Sequence, residues 1–156
     1  MNTYQRTLSD DEKRGLKRSL PWFGKGRQEG LADIAQGLVD VYEFEFNRVW
    51  DINGCRPPCC PYTILFETTN DLFVYIETWD EIERQENVTG ENKLVIESTP
   101  LIKRLLKSRI EGQGPIKHNE HLRELNEFFE INGAAEWRIF QKVEMPRDVV
   151  TSLEAA

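Results

Sequence analysis

The chain has 156 residues, a net charge of −7, 39% hydrophobic and 30% charged side chains; this fits one folded domain and excludes a disordered or fibrous chain. The longest apolar runs, at residues 64–66 and 72–76, fall far short of the roughly 18 residues of a membrane-spanning helix. Residues 1–30 carry seven basic against four acidic side chains, a net +3 that leaves −10 for the remainder, which excludes a phosphate-backbone grip over the whole surface. The polar stretch from Met1 to Asp11 lacks the apolar core of a secretory signal, so a cytoplasmic setting with reduced thiols is expected.

Ser9 followed by Glu12 has the spacing of a capping box and predicts a short basic helix to about Leu20, stopped by Pro21. Leu16 and Leu20 give that helix little to bury. Residues 1–27 are therefore expected as a loosely attached basic arm, with Trp22 and Phe23 as its docking point. Leu31, Ile34, Ala35 and Leu38 stand at helical spacing and predict a second helix, weakened by Gly30 and Gly37.

From Val41 the period changes to two. Tyr42, Phe44, Phe46 and Trp50 alternate with Glu43, Glu45 and Asn47, which predicts an antiparallel strand with one wet face. Residues 62–67 and 72–79 read as the next strands, joined by a hairpin loop at Thr68, Thr69, Asn70 and Asp71. Residues 93–97 form a short fourth strand. Thr99-Pro100 then has the form of a helix start, and Leu101, Ile102, Leu105, Leu106 and Ile110 supply its apolar stripe. A further helix is expected from His118 to Ile131, and Trp137, Ile139 and Val143 alternate in a last strand. The expected fold is α+β: an antiparallel sheet of about five strands, two long helices packed on one face, and the short basic N-terminal helical arm. The domain would span residues 28–146, with 147–156 as a C-terminal tail.

The segment Cys55-Arg56-Pro57-Pro58-Cys59-Cys60-Pro61 holds all three cysteines. Thiols so spaced close a disulfide, grip a soft metal, or pack as small apolar side chains. The odd count speaks against a disulfide framework. A zinc site would draw on Cys55, Cys59 or Cys60 together with His118 and His121, and it requires the corner and the late helix to meet in space. No local His–Glu metal-hydrolase pattern accompanies them, no serine sits in a nucleophile elbow, and Gly24-Lys25-Gly26-Arg27 is too short for a phosphate loop.

Between Glu77 and Glu91, six carboxylates gather around the single Arg84, a local −5. Trp79, Asp80, Glu81, Glu83 and Glu86 combine an aromatic anchor with a charged rim, the composition of a protein interface. The expected function is therefore a small acidic cytoplasmic interaction protein, of the inhibitor, immunity or adaptor type, that binds a basic protein partner. The alternative is a metal-binding domain or metal-dependent enzyme using the cysteine corner and the histidines. Two further expectations concern charge. Residues 1–27 could attach to a nucleic acid or a membrane surface, and Lys103, Arg104, Lys107 and Arg109 could meet the acidic stretch of a second copy in a salt-sensitive homodimer.

Overall fold

Alternating side chains dominate the residues that this computed structural model describes: 1–52, 56–86, 89–112, the backbone of 117–118, and 136–155. In chain order the elements are β1 (Asn2–Thr7), α1 (Asp10–Ser19), α2 (Lys25–Gln36), β2 (Leu38–Asp51), β3 (Tyr62–Thr68), β4 (Leu72–Thr78), β5 (Glu83–Gln85), β6 (Lys93–Ser98), β7 (Leu105–Glu111), β8 (Lys117–His118), β9 (Trp137–Gln141) and α3 (Arg147–Ala155). The strands form one sheet in the order β5-β7-β6-β2-β3-β4-β9, with β1 and β8 also paired to β2.

The long strand β2 organises the sheet. Its first part lies antiparallel between β1 and β6, and its last part pairs with β3 and, in parallel, with β8. Between the two parts, Phe46 opposes Thr68 while Arg48 opposes Glu67, so Asn47 is an extra residue in a bulge. An inserted residue bends a strand and reverses which side chains face inward. Tyr42, Phe44 and Phe46 accordingly face the same interior as Val49, which lies on the opposite parity.

The bend lets the sheet curl until its edges approach. At the start of β9 the Glu136 N–H donates to the Lys103 carbonyl at 3.1 Å, and Trp137 Nε1 donates to Ser98 Oγ at 2.7 Å across the interior. Phe44, Phe66, Val74, Ile76, Leu94, Ile96 and Ile110 fill the space between the two halves. Helices cover the outer faces. Leu8 and Leu16 pack with Val39, Val41 and Val95 beneath α1 and α2. Val149 and Leu153 of α3 cover Trp50, Leu65, Phe73, Tyr75 and Phe140.

This overturns the expected five strands with two long helices on one face. Eight strands of three residues or more, plus the two-residue β8, share the sheet, and the described helices have ten, twelve and nine residues. The largest difference falls after Thr99-Pro100, which opens a turn and then β7 instead of a helix. Asp33, fully buried on α2, accepts the N–H groups of Leu101 at 3.0 Å and Ile102 at 3.1 Å. Thr99 Oγ1 accepts from Arg104 N at 2.9 Å, and Lys103 adopts φ 54°. These bonds close a tight loop where a helix would have propagated.

Two further expectations change. The N-terminal arm is anchored: β1 adds a strand to β2, and Ser9 caps α1, its Oγ accepting the Glu12 N–H at 3.2 Å, while the Glu12 carboxylate turns to Arg6 instead of closing the box. The C-terminal tail is the helix α3. Of the helix expected at 118–131, His118 lies in β8 and the remainder falls outside the described residues. The hairpin between β3 and β4 forms at the expected residues, with Asp71 at φ 57°.

Candidate functional site

Strand β4 ends where Thr78 Oγ1 accepts the Asp80 N–H at 3.1 Å, which turns the chain out of the sheet. Residues 79–82 then cross to β5, an edge strand that pairs with β7 alone. The crossing leaves Trp79 57% exposed, an unusual state for so large an apolar ring. Asp80, Glu81, Glu83 and Glu86 are exposed around it. Glu83 lies 3.6 Å from Lys107 in an exposed pair. Asp80, Glu81 and Glu86 enter no salt bridge with the described residues.

Beneath this loop a cleft of about 440 Å³ opens between the two halves of the sheet. Ile64, Ile82, Ile110 and Tyr62 give it an apolar wall, and Asp51, Arg56, Glu81, Glu83 and Arg84 charge its rim. Asp51, with a side chain only 2% exposed, is held by Arg56 at 2.5 Å. The Arg56 guanidinium lies over the Tyr62 ring at 5.3 Å. The cysteine–proline corner, which supplies Arg56, and the acidic stretch therefore meet at one cleft although some twenty-five residues separate them. Carboxylates above an aliphatic wall suit a lysine or arginine side chain, whose methylenes seek apolar surface while its head seeks charge.

The same face includes Glu136, a carboxylate that sequence reasoning missed. Burial pushes its carboxyl above the usual range, and nearby Asp80 and Glu77 push the same way, against Arg104 and the Leu105 N–H. Arg104 Nε stands 3.4 Å from Glu136, and the Leu105 N–H donates to it at 3.2 Å. Glu136 stands alone just before the last strand in sequence, and the return of β9 to β4 brings it beside Glu77.

Of the expected metal ligands, Cys59 is exposed with a free thiol. Cys60 is disulfide-bonded, contrary to the expectation of reduced thiols. His118 lies in β8, where its backbone pairs in parallel with Asp51 at the end of β2. Cys55 and His121 fall outside the described residues. Among the described residues, no group of three His, Cys, Asp or Glu side chains could hold a metal ion.

The basic residues at 103–109 find partners within the chain. Lys107 meets Glu83, Arg104 meets Glu136, and Arg109 meets Glu111 at 3.0 Å. Lys103 Nζ donates to Tyr42 Oη at 3.1 Å and stands 5.5 Å from the Trp137 ring. A second cleft, about 660 Å³, lies by the β3–β4 hairpin, where the single carboxylate of Asp71 faces Lys142 and Arg147 in its lining. No helix among the described residues is long and apolar enough to cross a membrane. Protein-family models, curated proteins and solved structures contain no match to this chain, so its own geometry is what speaks to function.

Proposed function

We propose that this chain is a small interaction protein, of the inhibitor, immunity or adaptor type, that binds a basic segment of a protein partner. Trp79 anchors the contact, the carboxylates of Asp80, Glu81, Glu83 and Glu86 rim it, and the cleft below takes a lysine or arginine side chain. One observation carries the reading: the exposed Trp79, with Asp80 and Glu81 that enter no salt bridge with described residues, stands in the loop that roofs a cleft with an aliphatic wall. Such a surface steers a cationic partner by long-range attraction and holds it by burying the aromatic ring.

The test uses short peptides rich in lysine and arginine, each with one leucine, and follows association by stopped flow. The double variant Asp80→Lys, Glu81→Lys should slow association about tenfold at low salt, with the difference shrinking as screening shortens to ~8 Å at physiological strength. Equal rates for variant and natural chain at every salt concentration would reduce this face to ordinary surface.

A metal-stabilised domain is the second reading, supported by the pairing of His118 with Asp51 a few residues before the cysteine corner. Cys60 could serve as a thiolate there only after reduction of its disulfide. Elemental analysis of untagged protein decides it. Zinc, iron or nickel below about a tenth of an equivalent excludes a tight site.

A further inference from the structure

The turn between α1 and α2 carries the most exposed aromatic side chains among the described residues. Trp22 is 92% and Phe23 85% exposed, side by side, and no apolar neighbour covers either. Their backbone is nevertheless tethered. Leu20, just before them, is buried against Gly30, where a Cβ would strike its side chain. Arg27 Nη1 donates to the Pro21 carbonyl at 3.2 Å, and Arg104 Nη2 donates to the Ser19 carbonyl at 3.5 Å. The fold thus holds two large rings in water, which costs free energy unless something covers them.

The surrounding charge says what would cover them. From Lys13 to Gln28 there are six basic side chains and no acidic one. Lys17 and Arg18 are exposed in the last turn of α1, and Lys25 opens α2 directly beyond the aromatics. The next carboxylate along the chain, Glu29, pairs with Lys25 at 3.5 Å, and Glu136 is occupied by Arg104. Asp10, Asp11 and Glu12 stand at the opposite end of α1, roughly 12 Å back along a helix that rises 1.5 Å per residue. That distance exceeds a Debye length of ~8 Å, so they weaken the local field little in physiological salt.

We infer that the α1–α2 tip docks on an anionic phospholipid surface, with Trp22 and Phe23 entering the headgroup layer and Lys17, Arg18, Lys25 and Arg27 meeting lipid phosphates. Two adjacent protruding rings at the head of a basic helical hairpin match an interfacial layer, where aromatic rings partition and cations are attracted. A polynucleotide would use the same charges but calls for aromatic rings spaced along a basic groove, and here the two rings are neighbours at one turn.

The test is co-sedimentation of the full chain with vesicles of phosphatidylcholine containing about 30% phosphatidylserine. Binding is expected, at least about tenfold weaker to pure phosphatidylcholine, and weakened by a similar factor in Trp22→Ala, Phe23→Ala. Because both rings are exposed, that variant should keep the natural unfolding midpoint, which separates lost docking from lost folding. In a Trp79→Phe background, Trp22 is the only exposed tryptophan, since Trp50 and Trp137 are buried. Its emission should shift to the blue with anionic vesicles. Absent vesicle binding, vesicle binding indifferent to Trp22 and Phe23, an unshifted emission, or binding to single-stranded polynucleotide in place of vesicles would each overturn the inference. Asp80→Lys, Glu81→Lys should leave vesicle binding intact, which keeps this test separate from that of the acidic face.

Discussion

Asp33 shows how one side chain decides the course of a distant segment. It is fully buried, and its carboxylate receives the N–H groups of Leu101 and Ile102, so it ties α2 to the turn that launches β7. Asp33→Ala would leave both donors without partners in a water-poor site. The expected cost is about 2–4 kcal/mol, since each buried donor left unpaired costs about 1–3 kcal/mol. Denaturant titration measures it. A loss below about 0.5 kcal/mol would mean that water satisfies those groups. Asp33→Asn, which keeps one acceptor oxygen, should recover part of the loss.

At the scale of elements, α3 closes the outer face behind β3, β4 and β9. Leu153→Ala empties a site beside Trp50 and Phe73, and should cost about 2–4 kcal/mol by thermal or denaturant unfolding. An unchanged midpoint would show that α3 adds nothing to the core. The approach of β9 to β7 has a signature in pH. Burial holds the Glu136 carboxyl above its ordinary range. A carboxyl whose folded pKa is raised contributes stability fully below its unfolded pKa and loses it as pH rises through the folded one. Glu136→Gln keeps an oxygen for the Leu105 N–H and cannot ionise, so stability of the variant should fall less with rising pH across that window. Equal slopes for variant and natural chain would place Glu136 in open solvent.

Elements with local causes were legible in the sequence: the Ser9 cap, the alternation along β2, and the hairpin at residues 68–71. Those with distant causes were not. The apolar residues from Leu101 to Ile110 fit a helical stripe as well as a turn followed by a strand, and Asp33, far away in sequence, selects the second. The strand β1 is polar and exposed, so it carries no apolar period and depends on pairing with β2. The acidic loop could be read as a candidate surface from composition. The cleft beneath it could not, because its wall comes from β3, the loop before β5, and β7.

Taken whole, the molecule separates its charge. A basic helical tip carries two bare aromatic rings, and an acidic loop carries Trp79 over a cleft. Each surface pairs an exposed ring with charge of one sign, the combination that gives contact area together with steering. Ionised Glu136 adds to the acidic face, so a basic peptide should also bind more tightly as pH rises through that group's raised pKa. The proposed function rests on the acidic face. Its most direct test is an NMR titration of the isotope-labelled chain with a short oligolysine, following backbone amides and the Trp79 indole. Shifts are expected only at residues 77–86, at the cleft wall of Tyr62, Ile64 and Ile110, and at Glu136, fading as salt rises. Shifts scattered over the surface, or centred elsewhere with Trp79 unmoved, would contradict the proposed function.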